Sequence, residues 1–443
     1  ISWDGSELPD WRMHKDLPPR LASEVVAELM SYSKLDSDAG PIAFSPVDQT
    51  ETASSAFSGQ ASAPTLQRTA QESFHGCLLG GAVGDALGAS VEFMSHREIL
   101  KRFGPEGISE YAPAYGGLGK ITDDTQMTLF TAEGLIRAAA DGTDPVKEGI
   151  WSAYQRWYHT QGGPLPEGAD PASGLLGVLE LHNRRAPGTT CMKSMKNGVP
   201  GDPDVPLNDR KGCGGVMRVA PVGMVAGSDD TAYQLGCASA ALTHGGPCGW
   251  IPAGVLAVLV RRLIAGDNLE DAVAIGRSHA EADQRDTGVV AALDAAVELA
   301  GRAPLDGRML EELGAGWLGD EALAIAVACV LAEPDPNQAL LLAVNHSGDS
   351  DSTGAIVGNL LGALHGTGPI RVDWCERVEL ADVITDLAAQ LVEVHIGSPV
   401  GKWKRWFQGL LVRPRRSPTS TATSPASTGT TGRCWPTRRS MLC

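Results

Sequence analysis

Phe74-His75-Gly76-Cys77-Leu78-Leu79-Gly80-Gly81-Ala82-Val83-Gly84-Asp85-Ala86-Leu87-Gly88 is the stretch whose reading decides the fold. Gly76, Gly80, Gly84 and Gly88 recur at every fourth position, and Gly354, Gly358 and Gly362 repeat the pattern far down the chain. Residues four apart share one face of a helix. Each glycine costs a helix about 1 kcal/mol relative to alanine, so a run of them needs a compensating contact. Close approach of two backbones is such a contact. The pattern predicts two helices that cross tightly near the domain centre and bring Asp85 and Glu92 close to Asp349 and Asp351.

Outward from this pair, residues 72–400 carry helical periodicity throughout. The spacing predicts helices over 74–88, 125–140, 146–159, 172–183, 231–242, 249–265, 269–280, 288–301, 308–314, 320–332, 336–345, 353–365 and 376–394. Many follow Asp, Ser, Thr or Pro, as helix starts should. Alternating β-branched runs between tight turns are rare. The expected fold class is all-α, in one domain. Residues 1–71 read as a linker-like extension with one amphipathic helix near 20–35. Residues 401–443 are rich in Ser, Thr, Pro and Arg and are expected to be disordered; the Trp403–Phe407 segment reads as a terminal helix docking its aromatics on the core, with contact to a membrane or nucleic acid as the alternative.

Two acidic loops open apolar helical runs: Thr122-Asp123-Asp124-Thr125 and Gly348-Asp349-Ser350-Asp351-Ser352-Thr353-Gly354. The second resembles the start of an EF-hand, with Gly354 at position 6, but position 12 is Leu360 instead of Glu, which excludes that motif. Each loop alone also fits a capping turn or acids placed favourably on a helix dipole. A cap needs one such residue, and the second loop offers two Asp, two Ser and a Thr. If the two helix starts meet, their carboxylates and hydroxyls form an all-oxygen cage, the ligand set preferred by Mg²⁺ or Mn²⁺.

The formal net charge of −17 argues against non-specific binding to nucleic acid or acidic membranes. Residues 402–443 hold nine Lys or Arg and no acid, which leaves 27 bases against 53 acids in the rest. Nine scattered cysteines, with no C-x-x-C pair, fit reduced cytoplasmic usage. The apolar runs Ile251–Val260 and Ala322–Ala332 are too short to span a bilayer and read as buried helices. The sequence opens on Ile1 without a secretory pattern, so a different natural start is expected.

Gly81-Ala82-Val83-Gly84-Asp85-Ala86-Leu87-Gly88-Ala89-Ser90-Val91-Glu92-Phe93 resembles the opening signature of the ADP-ribosylglycohydrolase family. Thr122-Asp123-Asp124-Thr125-Gln126-Met127 resembles its first metal motif, and Asn345–Ile356 its second. Gly212-Cys213-Gly214-Gly215-Val216-Met217-Arg218-Val219-Ala220-Pro221 resembles its glycine-rich substrate loop, and Thr243-His244 its Thr-His step. The motifs stand in family order over about 72–395.

The resemblance implies an orthogonal helical bundle with two divalent cations, Mg²⁺ or Mn²⁺, in a central cleft. It implies hydrolysis of the bond between ADP-ribose C1″ and an acceptor. Carried over, Thr122, Asp123, Asp124, Asp349, Asp351 and Ser352 become metal ligands. Glu92, Asp124 and Asp351 carry the chemistry, with the attacking water deprotonated by Glu92 or by a metal-bound Asp. Gly212, Cys213, Gly214, Gly215, Val216, Met217, Arg218, His244, Ser347, Gly348 and Glu92 contact substrate. Backbone N–H groups of the glycine loop suit phosphate oxygens. Arg218 can pair with phosphate or with a structural carboxylate, and Cys213 replaces the polar residue of many members. Asp85 either supports the metal shell by a hydrogen bond or packs helices. His346, His75 and Trp317 read as structural, Trp317 on a core helix with Glu321.

The expected partner is an ADP-ribosylated protein or other ADP-ribosylated acceptor, with ADP-ribose as product and no membrane. The Thr-Asp-Asp-Thr-Gln-Met and Val-Glu-Phe variants resemble the dinitrogenase-reductase-activating branch more than the serine-directed animal branch. That favours ADP-ribosyl-arginine, with nucleic-acid, serine or ubiquitin-linked ADP-ribose still open. Two other readings stand beside this one: an inactive binding or structural protein on the same fold, and a hydrolase of another ADP-ribose-like or small amide substrate.

Overall fold

A computed structural model describes residues 68–286 and 288–397. The amphipathic helix expected near 20–35 and the tail from 401 lie outside these residues. Three helices open the fold: α1 (Ala70–Gly88), α2 (His96–Phe103) and α3 (Asp123–Asp141). A π-turn at Pro145–Ile150 leads into α4 (Trp151–Thr160), then α5 (Thr189–Asn197), α6 (Ala220–Val225) and α7 (Asp229–Ala241). The remainder comprises α8 (Pro247–Ala265), α9 (Leu269–Ala282), α10 (Val289–Ala300), α11 (Gly307–Leu310), α12 (Gly319–Ala332) and α13 (Pro336–Val344). The last are α14 (Ser350–His365), α15 (Val372–Arg377) and α16 (Ala381–Gly397). Among the described residues β-structure is limited to three isolated bridges. The all-α expectation holds.

The two glycine helices do not cross at a point. A methyl on Gly76 would overlap the Gly362 carbonyl oxygen, one on Gly80 that of Gly358, and one on Gly84 that of Gly354. Gly88 meets the backbone of Ser350 and Asp351 in the same way. This descending register makes α1 and α14 antiparallel and in contact side by side over several turns. The end of α1 is thereby fixed beside the start of α14. Asn359 reinforces the seam by donating from Nδ2 to the Cys77 carbonyl at 2.8 Å.

The apolar centre is built on α8 and α12. Residues 322–329 of α12 are almost solvent-free. The helix Pro247–Ala265 is longer than its apolar run, and its length and hydropathy would pass for a membrane span, yet 78% of that window is buried inside the protein. Burial against α7, α9 and α12 explains its composition.

Several elements depart from the periodicity. Segment 172–183 forms two short 3-10 turns, Gly174–Gly177 and Leu179–His182, not a helix. Its backbone is recruited by a buried ion pair: Arg156 donates to Glu133 at 3.1 Å and to the Ser173 carbonyl at 2.8 Å, and Leu175 N–H donates to Glu133. Helices α2, α5 and α6 were not foreseen, although Ser95 and Glu98 make a full capping box on α2. Trp317 precedes α12 and belongs to an exposed strap. Leu380, with φ of +63°, breaks 376–394 into α15 and α16.

Candidate active site

Three chain segments converge where α1 ends and α3 and α14 begin. Asp123 and Asp124 lie in the first turn of α3, and Asp351 lies in the first turn of α14. Both helix starts present N–H groups and a positive dipole end to these acids. Asp349 is the residue before α14, yet its carboxylate makes no capping bond to that helix. Glu92 hangs from the double turn after α1, in which Val91 N–H donates to Gly88 O and Met94 N–H to Val91 O, each at 2.8 Å. One carboxylate oxygen from each of Glu92, Asp349 and Asp351 lies within 4.8 Å of the other two.

Asp85 organises the first loop from the facing helix. Its carboxylate accepts from Thr122 N–H at 3.0 Å, from Thr125 N–H at 3.1 Å and from the Thr125 hydroxyl. The acid therefore holds the start of α3 against α1. Thr122 caps α3 by accepting from Asp124 N–H at 3.3 Å. Its hydroxyl also donates to Asp124 Oδ2 at 3.4 Å. Asp123 accepts from Gly188 N–H at 3.1 Å. Ser352 N–H donates to Asp351 at 3.0 Å.

The acids are buried together, and among the described residues none of them pairs with a Lys, Arg or His side chain. Burial and the Asp351 charge push Glu92 up to about 11 and Asp85 up to about 7. Asp123, Asp124 and Asp349 are also raised by burial and by the Asp351 charge, and Asp351 by burial. Asp349 and Asp351 face each other, with one oxygen of each within 4.8 Å of the other. Glu92 Oε2 and Asp124 Oδ1 are buried with no hydrogen-bond partner. Carboxylates so placed share protons or neutralise a cation. Orphaned oxygens in an all-oxygen donor set fit a hard divalent cation well.

The glycine-rich loop closes one side. Cys213–Gly215 form a 3-10 turn, and Cys213 Sγ lies 2.7 Å from Asp349 Oδ2. Cys213 N–H donates to the Trp317 carbonyl at 3.1 Å, and Asp349 N–H donates to the Ala315 carbonyl at 2.8 Å. The strap 314–319 thus ties the glycine loop to the second acidic loop. Gly348, at φ of +116°, turns against Ala315 where a Cβ would clash. Ser347 faces α2 instead of the acids: it accepts from His96 N–H at 2.8 Å and donates to Glu311.

Arg218 does not reach into the cleft. It is 1% exposed, and its guanidinium donates to Thr243 Oγ1 at 2.7 Å, contacts Cys191 Sγ and Met127 Sδ, and lies 4.3 Å over the Tyr154 ring. Neither a phosphate contact nor a carboxylate partner fits that setting. Thr243 Oγ1 lies 2.8 Å from His244 Nδ1, and a Cβ on Gly214 would sit 3.0 Å from the His244 ring. His244 is held neutral, with burial and Arg218 lowering it to about 3. Arg218, Thr243 and His244 form a shelf under the glycine loop, with Val216 and Met217 buried beside it. Gly212 bridges to Leu318.

A clamp behind the first loop carried no sequence signal. Glu379 accepts from Arg185 and from Lys120 at 2.7 Å, while Arg185 also donates to Ile121 O at 3.0 Å. Arg185 O accepts from Asp123 N–H at 3.1 Å. Nothing local marks one glutamate more than 250 residues from the loop it braces. At the mouth, Phe93, 72% exposed, stacks on Trp317 with ring centroids 5.6 Å apart.

A profile of the ADP-ribosylglycohydrolase family matches residues 66–399. An uncharacterised protein of Archaeoglobus fulgidus is 28% identical over 74% of this chain and 98% of its own length. The ADP-ribosyl-[dinitrogen reductase] glycohydrolase of Rhodospirillum rubrum is 26% identical over 69% of this chain and 90% of its own. A solved structure titled ADP-ribosylglycohydrolase-related protein complex aligns at a TM-score of 0.56 and 26% identity, covering 74% of this chain and 99% of that one. With acids, glycine loop and helix seam assembled as described, the chain belongs to the ADP-ribosylglycohydrolase family.

Proposed function

We propose that this protein is a metal-dependent hydrolase that removes ADP-ribose from a modified acceptor by cleaving the C1″ glycosidic bond. Family membership supports the reaction class. The observation that carries the metal requirement is the group of buried carboxylates at two helix starts, with orphaned oxygens on Glu92 and Asp124 and, among the described residues, no side-chain cation to balance them.

Thr122, Asp123, Asp124, Asp349, Asp351 and Ser352 would hold two divalent cations, Mg²⁺ or Mn²⁺. When bound, such ions supply Lewis-acid stabilisation and lower the pKa of water. Glu92 offers a free buried oxygen beside Asp349 and Asp351, the position from which a carboxylate can orient water and take its proton. Glycosidic cleavage passes through a cation-like sugar, and water must reach one face of it. The surrounding carboxylates favour that positive charge. The glycine loop presents backbone N–H groups to a phosphate, held in place by the Arg218–Thr243–His244 shelf. Asp85 fixes the first ligand loop without itself facing substrate.

ADP-ribosyl-arginine is the favoured acceptor. The Thr122–Met127 and Val91–Phe93 motifs support this choice, as does likeness to the Rhodospirillum rubrum glycohydrolase named for dinitrogen reductase. The test is release of free ADP-ribose from arginine-modified and serine-modified peptides. Release from the arginine peptide with Mg²⁺ or Mn²⁺ is expected, lost with chelator and in Asp351→Ala. Undiminished release in chelator would overturn the metal requirement, and preference for the serine peptide would overturn the acceptor.

A further inference from the structure

Among the described residues no carboxylate pairs with the buried Arg218. Its guanidinium donates to neutral groups, Thr243 Oγ1, Cys191 Sγ and Met127 Sδ, and its Nε is buried with no partner. A charge held out of water without an ion pair is costly, which points to a use beyond packing. The hydrogen bonds around Thr243 show that use. An arginine can only donate, so Arg218 Nη2, 2.7 Å away, fills one lone pair of Thr243 Oγ1. The Thr243 hydroxyl then has one proton and two acceptors in reach, Ala240 O at 3.3 Å and His244 Nδ1 at 2.8 Å. Ala240 O already accepts from Thr243 N–H at 3.1 Å and from His244 N–H at 3.0 Å. With both lone pairs of that carbonyl engaged, the hydroxyl proton goes to Nδ1, and the proton of the neutral imidazole sits on Nε2.

Nε2 is turned to the glycine loop: a Cβ on Gly212 would lie 3.4 Å from it, and one on Gly214 3.3 Å. No hydrogen bond among the described residues uses that nitrogen, so its N–H is available to a ligand on the loop. We propose that Arg218 and Thr243 are positioning residues that lock His244 as a neutral Nε2–H donor to a diphosphate oxygen of the ADP-ribosyl group lying on the glycine loop. This rests on the proposed ADP-ribosyl hydrolase activity. Burial and the Arg218 charge lower His244 to about 3, which keeps the ring neutral. The loop then supplies backbone donors and the ring one aimed side-chain donor, while Arg218 lends positive potential from behind without touching the anion.

Long-range ¹H–¹⁵N spectra of the Mg²⁺-loaded full-length chain, labelled at histidine, read the tautomer directly, with His244→Asn as the assignment control. The wild type is expected to show the Nε2–H pattern for His244. Thr243→Ser should keep that pattern, whereas Thr243→Val and Arg218→Met should replace it with a mixture of tautomers. ADP-ribose should shift the His244 Nε2 resonance, and adenosine, which lacks phosphate, should not. Affinity for ADP-ribose should fall about tenfold or more in Thr243→Val and recover in Thr243→Ser, as misdirecting one hydrogen bond to a charged group entails. An Nδ1–H pattern in the wild type, an unchanged pattern in Thr243→Val, or an equal shift with adenosine would overturn the proposal and leave the hydrolase reading standing. A wild type with the Nε2–H pattern that neither binds ADP-ribose nor releases it from modified peptides would overturn that reading and, with it, the phosphate contact.

Discussion

Asp85 shows how much one buried side chain can decide. It accepts three hydrogen bonds from Thr122 and Thr125 and so positions the acids that follow Thr122. In Asp85→Asn the amide would turn a donor toward donors. Buried groups left unsatisfied cost about 1–3 kcal/mol, and loss of a supporting hydrogen bond typically weakens a metal site about 10–100-fold. Both effects are expected in the Mn²⁺-loaded variant, the first by denaturant titration and the second by calorimetry. An unchanged Mn²⁺ affinity would remove Asp85 from its supporting role. At this scale the sequence was informative about the acids and uninformative about Arg218. Its neighbours Thr243, Tyr154 and Cys191 come from three separate helices or turns, and only folding reveals that they surround its guanidinium.

The antiparallel α1–α14 seam sets the distance between the two acidic regions. Its glycines were legible as a contact stripe, because no other role explains a four-residue glycine period in two helices. The register was not legible, since a stripe of equal small residues fits several alignments. Gly358→Ala would set a methyl against the Gly80 carbonyl. On an exposed helix the change would gain about 1 kcal/mol of propensity. Here overpacking is expected to cost about 1–3 kcal/mol and to weaken Mn²⁺ binding by shifting Ser350 and Asp351 along Gly88. Stabilisation of the variant would show that the helices can part without loss. The strap 314–319 escaped sequence reading altogether. Its work is done by the Ala315 and Trp317 carbonyls, which any residue supplies.

For the whole molecule, the acid cluster ties stability to pH and cations. Asp85 is raised to about 7 and Glu92 to about 11, above their unfolded values. Groups raised in this way contribute stability that is fully present below the unfolded carboxylate range and lost as pH rises through the folded values. In chelator, thermal stability is therefore expected to fall from about pH 5 to pH 8. With saturating Mg²⁺ or Mn²⁺ the loss should vanish, because ion binding to the folded state alone adds stability. Rising stability over that range in chelator would mean that the acids are already balanced. The Arg185–Glu379–Lys120 clamp works in the opposite direction, since Glu379 is lowered by its hydrogen bonds to Arg185 and Lys120 despite its burial. Its share is lost only as pH falls through that lowered value.

The proposal that the two helix starts hold a pair of hard ions is tested most directly by anomalous diffraction from crystals grown with Mn²⁺. Two peaks are expected between the Asp123–Asp124 and Asp349–Asp351 carboxylates, with Thr122 and Ser352 alongside. Mn²⁺ absent from that cleft, or bound only elsewhere on the protein, would contradict it.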